Sequence, residues 1–287
     1  MNPSKYEILL KIQETKSFTR TAEYFQYTQS AISQTIKSME NDMNVTLFHR
    51  TPSGIFLTDE GKFLLPSILQ IVEGHRHLEE QLSQLHKSHI GKVRIGAYDS
   101  MSCHWLPPCI KAFNQIYPNI TFELYQEDDL PLLDLLKKGA IDLAFISNPK
   151  KREYDYVELF KDPFMIILPE KYPITSSTIS LNDFKEESFI FLDVGYSKYT
   201  KAMFKKAGFK PKVKYRMIDD LTVMSMVEHC FGIGILPKLA THRTPYKLQI
   251  LTPVEDCYRS IGMVTRKNDH FSWAQKKFMS FASEFHL

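Results

Sequence analysis

The stretch KSFTRTAEYFQYTQSAISQTIKSMENDMNVTLFHRTPSGIFLTDEG, Lys16 to Gly61, decides how the rest of the chain is read. Ser17 stands ahead of Phe18, Ala22 and Phe25, a capping residue before an apolar stripe. Thr28 plays the same part for a helix from Gln29 to about Met43, in which Ile32, Ile36, Met39 and Met43 recur at three- and four-residue spacing. Gln29, Ser30, Ser33, Gln34 and Lys37 share the opposite side of that helix. Only Gln26 to Thr28 separate the two helices, and small Ala22 lets them approach, which points to a helix-turn-helix. Leu47 to Arg50 and Ile55 to Thr58 then flank Thr51-Pro52-Ser53-Gly54, two short strands about a turn, the form of a wing.

Upstream, Asn2-Pro3 reads as the cap and first position of another helix, with Tyr6, Leu9, Leu10 and Ile12 inward. Downstream, Thr58 caps a long helix to about His89, with Asp59 and Glu60 favourable to its dipole. Leu64, Ile68, Ile71, His75, Leu78, Leu82 and Leu85 are spaced 4, 3, 4, 3, 4, 3, a heptad seam suited to pairing two copies. Gly61 and Pro66 lie near the helix start, where a missing donor costs least.

From Gly91 strands alternate with helices. Lys92–Ala97, Ile120–Tyr125 and Ile141–Ile146 read as strands, with helices around Leu106–Ile116 and Leu130–Lys138 between them. A second set follows: strands Phe164–Leu168, Phe189–Leu192, Val213–Met217, Ile233–Leu236 and Ser260–Thr265, and helices Ser197–Ala207, Leu221–Glu228 and Phe271–Phe285.

The chain has 287 residues, 43% hydrophobic and 24% charged, ordinary for a globular protein of a small and a larger domain. No apolar run approaches the ~20 residues of a membrane span. The N-terminus lacks the pattern of a secretion signal, so the expected location is the cytoplasm. Cys103, Cys109, Cys230 and Cys257 are scattered without a C-x-x-C pair, which speaks for reduced thiols. Net charge is +3, and Met1–Ile90 holds 9 Lys and Arg against 10 Asp and Glu, so an affinity for nucleic acid has to rest on where charges sit. Neither a dinucleotide fingerprint, a G-x-S-x-G elbow nor metal spacing at His86 and His89 supports catalysis, and no cofactor is expected.

The SFTRTA, TQSAIS, LFHR and LTDEG pieces, in that order and spacing, resemble the DNA-binding signature of LysR-type regulators. GAIDLAFI, Gly139–Ile146, and GIGILP, Gly232–Pro237, resemble that family's effector domain. The resemblance implies an all-α winged helix-turn-helix over 1–58 and a linker, dimerisation helix over 59–89. An α/β effector domain like a two-lobed periplasmic binding protein would fill 90–287, with lobes of about 90–160 plus 260–287 and about 161–259. The chain would cross between lobes near Pro149–Phe160 and Pro253–Arg259.

The resemblance implies a transcription regulator that binds double-stranded promoter DNA and a small-molecule effector. It would dimerise through the linker helix and form tetramers through the effector domains. Gln29, Ser30, Ser33 and Gln34 would meet base edges. Arg20, Thr28, Lys37, Arg50 and Thr51 would meet phosphate or the minor groove. Gln34 departs from the Arg that many members carry. Loops after the strands place Ser100, Met101, Ser102, Ser147, Asn148, Tyr196 and Asp219 at the effector cleft, with serine hydroxyls suited to an organic anion. Two rival readings are a transport-type binding protein without a DNA role and a thiol redox sensor; the context of Cys230 and Cys257 does not match the peroxide-sensing members.

Overall fold

The structure, a computed structural model, describes residues 4–85, 90–147, 149, 152–174, 179–193, 197–267, 269 and 271–286. The chain divides into two compact units, Met1–Ser88 with His270–Trp273, and His89–Asp269 with Ala274–Leu287.

The first unit is built from α1 (Lys5–Thr15), α2 (Phe18–Phe25), α3 (Gln29–Met43), a hairpin of β1 (Phe48–Thr51) and β2 (Gly54–Leu57), and α4 (Asp59–Leu85). Ser4 caps α1, in a reciprocal capping box with Glu7, in place of the expected Asn2. The box satisfies two helix-end amides where Asn2 with Pro3 would satisfy fewer. Ser17 caps α2 and Thr28 caps α3, while left-handed Gln26 turns the chain between them. Ile8, Leu9, Ile12, Phe18, Ala22, Ile32, Ile36, Met39, Leu47, Phe48, Leu57 and Ile68 form the core. Each large aliphatic group buried there contributes roughly 1.5–3 kcal/mol relative to exposure. Glu40 Oε1 accepts from the Leu47 amide at 2.7 Å and ties α3 to the wing.

The second unit carries a nine-stranded sheet. Its strands are β3 (Gly91–Ala97), β4 (Ile120–Gln126), β5 (Leu143–Ser147), β6 (Tyr154–Pro169), β7 (Ser188–Leu192), β8 (Lys212–Met217), β9 (Ile233–Pro237), β10 (Leu248–Leu251) and β11 (Tyr258–Arg266). The order is β4-β3-β5-β11-β6-β9-β7-β8, with β10 beside β6. β4, β3 and β5 run parallel in one lobe, and β8, β7 and β9 run parallel in the other. Long β6 pairs antiparallel with β11 beside the first set and with β9 and β10 in the second.

The helices are α5 (Leu106–Ile116), entered through a π-helical turn at Met101–Trp105, then α6 (Asp129–Lys137), α7 (Ser197–Ala207), α8 (Asp220–Glu228) and α9 (Trp273–Glu284). Trp105, Phe113, Phe145 and Phe278 interlock as the aromatic core of the first lobe. Apolar clusters cover both faces of the second lobe's strands.

Strand β6 carries the chain from the first set of strands to the second. β6 pairs with β11 through Pro163 and with β9 from Phe164, without a break. Pro163, which lacks an N–H, stands opposite Tyr258, and the Phe164 amide bonds the Cys257 carbonyl at 2.9 Å, so the strand continues past the proline.

Candidate nucleic-acid interface and effector cleft

Helix α3 has two unlike faces. Ile32, Ile36 and Met39 are buried, while Gln29, Ser30, Gln34 and Lys37 are exposed and Ser33 is half-buried. The Thr28 hydroxyl accepts from the Ala31 amide at 3.2 Å and lies 3.0 Å from Ser30 Oγ, so its first task is the cap. Arg20 is exposed at the start of α2, its amide held by Ser17 Oγ. Exposed Arg50 sets its guanidinium over the Phe18 ring at 5.1 Å. Thr51 donates to the Gly54 carbonyl at 3.0 Å and belongs to the wing turn.

Two further residues near the wing escaped the sequence reading. Lys16 has its carbonyl bonded to the Ile55 amide and its ammonium over the Phe56 ring. His49 stacks on the same ring at 6.1 Å. The pairing of His49 with Phe56 across the hairpin was the available signal for the second of them.

Along α4, Leu64 and Ile68 pack into the unit's own core. Ile71, Leu78 and Leu82 are 46%, 54% and 40% exposed. His75 has a buried Nδ1 without a hydrogen-bond partner. The Leu85 side chain lies outside the described residues.

In the second unit, the loops after the parallel strands of both lobes face one another. Cys103 of the first lobe is in electrostatic range of Asp99 beside it and of Asp220 at the start of α8 in the second. Asp129, at the start of α6, is in range of Lys198 on α7. At the junction Arg259 and Asp162 form a buried ion pair, with Nε 2.9 Å from Oδ2. Arg259 also donates to Ser100 Oγ at 2.7 Å and lies 4.6 Å from the centre of the Tyr98 ring. The second oxygen of Asp162 accepts from the Leu239 amide at 2.9 Å.

The residues expected at the cleft take distinct places. Ser100 is there, but its hydroxyl already accepts from Arg259. Ser102 donates to the Ala97 carbonyl at 3.3 Å. Met101, at the start of the π-helical turn, has no solvent-facing surface and packs as core. Buried Ser147 hydrogen-bonds Asp129 through its backbone. Asp219 caps α8, accepting from the Thr222 amide at 2.7 Å. Asn148 and Tyr196 lie outside the described residues.

The structure adds Tyr98, Asp129, Tyr156, Lys198, Asp162 and Arg259 to the junction. Tyr98 directly follows β3, and Asp129 opens α6 after the two residues that follow β4, so the rule that placed the serines would have reached them. Burial holds the Asp129 carboxyl above the usual carboxylate range, against the opposing pull of Lys198, Arg259 and the Ser147 backbone. Burial also raises the thiols of Cys103, Cys109 and Cys257, which suppresses the reactive thiolate.

A separate open groove of about 500 Å³ lies on the second lobe, among Pro169, Tyr172, Glu187, Glu228, Cys230 and Lys247. It is lined from the ends of the strands opposite to those that meet the cleft.

Comparison with known proteins matches residues 4–62 to the family model of the bacterial regulatory helix-turn-helix protein, lysR family. Residues 86–286 match the LysR substrate binding domain. The chain belongs to the LysR family of transcription regulators. An uncharacterized HTH-type transcriptional regulator of Bacillus subtilis (strain 168), YvbU, is 28% identical, over 99% of this chain and 98% of that protein.

The effector binding domain of QuiR, solved in complex with shikimate, is 25% identical. It covers 67% of this chain and 95% of its own, with a TM-score of 0.60. Full-length OxyR from Pseudomonas aeruginosa shares the fold, with a TM-score of 0.74 at 19% identity, over 99% of this chain and 94% of its own. This LysR-family chain is thus a DNA-binding regulator with an N-terminal helix-turn-helix and a two-lobed effector-binding domain. Among its described residues no helix is long and apolar enough to cross a membrane.

Proposed function

We propose that α3 enters the major groove of promoter DNA, with Gln29, Ser30, Ser33 and Gln34 at base edges. Arg20, Lys37, Arg50, Lys16 and the start of α3 at Thr28 and Thr51's wing turn meet the backbone. The observation that carries this is the split of α3 into a buried apolar face and an exposed polar one next to a capped N-terminus. With so few cations per head, a single head binds weakly, because affinity scales with phosphates neutralised. A second copy doubles the contacts, and the exposed Ile71, Leu78 and Leu82 of α4 offer the seam for a homodimer. Effector domains then join dimers into tetramers in the cytoplasm.

On this reading residues 1–58 grip DNA, 59–89 pair the subunits and 90–287 bind the effector between lobes of about 90–160 plus 260–287 and about 161–259. The cleft holds Ser100, Ser102, Ser147, Asp219 and, beyond the described residues, Asn148 and Tyr196. The chain acts by linkage and not as an enzyme: an effector that fits one lobe arrangement better shifts the spacing of the DNA heads.

The test is fluorescence anisotropy on DNA from upstream of the chain's own coding region, comparing the wild type with Ser33→Glu plus Gln34→Glu. Both residues are off the core, so the variant stays folded and paired, and its operator affinity falls at least tenfold. Unchanged affinity refutes the placement of α3.

A further inference from the structure

The lobe junction holds two phenols with nothing to bond. Tyr98 is 7% exposed, and its hydroxyl is buried without a hydrogen-bond partner; the Tyr156 hydroxyl is buried and unpartnered as well. An orphaned buried hydroxyl is costly, and two in one place call for a missing bonding group. Asp129, Asp162, Arg259 and Tyr156 are all in electrostatic range of the Tyr98 phenol. Tyr156 is fixed from behind, because its ring lies over Gly262 of β11, where a Cβ would stand 2.4 Å from the ring.

The charges around these phenols decide what can bond them. Arg259 is spent: it holds Asp162 and Ser100 and covers the face of Tyr98. Arg216 is drawn to Asp193 at 3.5 Å. Exposed Lys198 is the cation in range of Asp129, and Asp99, Asp128 and Asp220 stand at the same loops. A desolvated carboxylate such as Asp129 gains from a cation and loses from an anion. An ammonium has three N–H donors and no acceptor, matching one carboxylate and two phenol oxygens.

We propose that the effector carries a protonated amine, seated on the Asp129 carboxylate and the Tyr98 and Tyr156 hydroxyls. This replaces the organic anion that the serine loops suggest, and it rests on the reading of the inter-lobe cleft as the effector site. Lys198, exposed at the mouth, meets any carboxylate that the same molecule carries.

The experiment uses the full chain in thermal-shift and calorimetric titrations. Probes are 1,4-diaminobutane, ethanolamine and the common L-amino acids, each beside the analogue with hydroxyl in place of amine. At least one amine raises Tm while its hydroxyl analogue does not. Asp129→Asn weakens that amine at least about tenfold, the size of a lost charge-assisted hydrogen bond. Tyr98→Phe and Tyr156→Phe weaken it by a smaller factor and keep the rings, so their folding is secure, and circular dichroism checks all three variants.

The inference is overturned if no amine stabilises the chain, or if a hydroxyl analogue or simple carboxylate matches the amine. A non-amine whose binding drops in Lys198→Ala overturns the inference and leaves the cleft reading standing. Stabilising compounds whose affinity ignores all four variants overturn both.

Discussion

Asp162→Ala is the most informative single change in the second unit. Asp162 and Arg259 side chains are 2% and 1% exposed, so water cannot take over for a lost partner. Removing the carboxylate strands the guanidinium, whose bonds to it measure 2.9 and 2.8 Å, and also the Leu239 amide, which donates to it at 2.9 Å. Breaking such a pair from one side costs about 3–5 kcal/mol. For a domain of this size each kcal/mol is worth roughly 2–4 °C, so Tm falls by about 6–20 °C. Thermal and urea unfolding, followed by circular dichroism, measure the loss. The double variant Asp162→Leu with Arg259→Met recovers most of it, because no charge is then left buried. High salt changes the wild-type value little, since buried pairs are poorly screened. A loss under about 1 kcal/mol, the range of exposed pairs, or a double variant as unstable as the single, refutes a dry, mutually dependent junction.

Lys37→Ala lowers operator affinity evenly across sequences and reduces the salt slope of binding by about 1 per head, read from anisotropy at several ionic strengths. A loss confined to one base position would make Lys37 a base reader instead. Gly61→Ala places a Cβ 2.5 Å from the Leu47 carbonyl and 3.0 Å from a Leu57 methyl, so the first unit loses about 1–3 kcal/mol in urea unfolding. Burial, with the hydrogen bond to Glu187, pushes the Tyr172 phenol up to about 12. The fold thus favours the neutral phenol, and that stability is full below pH ~10 and fades as the pH climbs toward 12. Tyr172→Phe flattens that alkaline part of the stability curve, and an unaltered curve speaks against the shift. Exposed Cys103 and Cys230 react with a thiol reagent in the native chain, whereas Cys109, fully buried and with its thiol pushed to about 12, reacts only on unfolding. Mass spectrometry of the labelled peptides checks the order.

What could be read in advance followed from local rules. Periodicity placed Ile32, Ile36 and Met39 inward, and the capping residues Ser17, Thr28 and Thr58 act on the amides of Arg20, Ala31 and Gly61. Helix α7 begins and ends where its apolar spacing and the following Gly208 put it. The misses are non-local. Asp162-Pro163 looks like the end of a segment, and only pairing with a strand far along the chain shows that β6 runs on. Asp162 and Arg259 are 97 residues apart, so no window contains both. Strand β10 is four half-buried residues whose alternation is too short to stand out. At the cleft, the end-of-strand rule found the loops but not which side chain in each loop is already engaged. By that rule Ser100 reads as available, whereas Arg259 occupies it.

Because β6 runs unbroken from its pairing with β11 to its pairing with β9, the first crossing between the halves of the regulatory unit is no slack tether. Rotation of one half against the other has to twist that strand, whose pairing with β11 already shifts register between Ile261 and Gly262. Such a joint resists and recoils. On the proposed reading of the cleft, a ligand acts as torque on a stiff hinge, and compounds that fill it incompletely are expected to produce intermediate outputs rather than none.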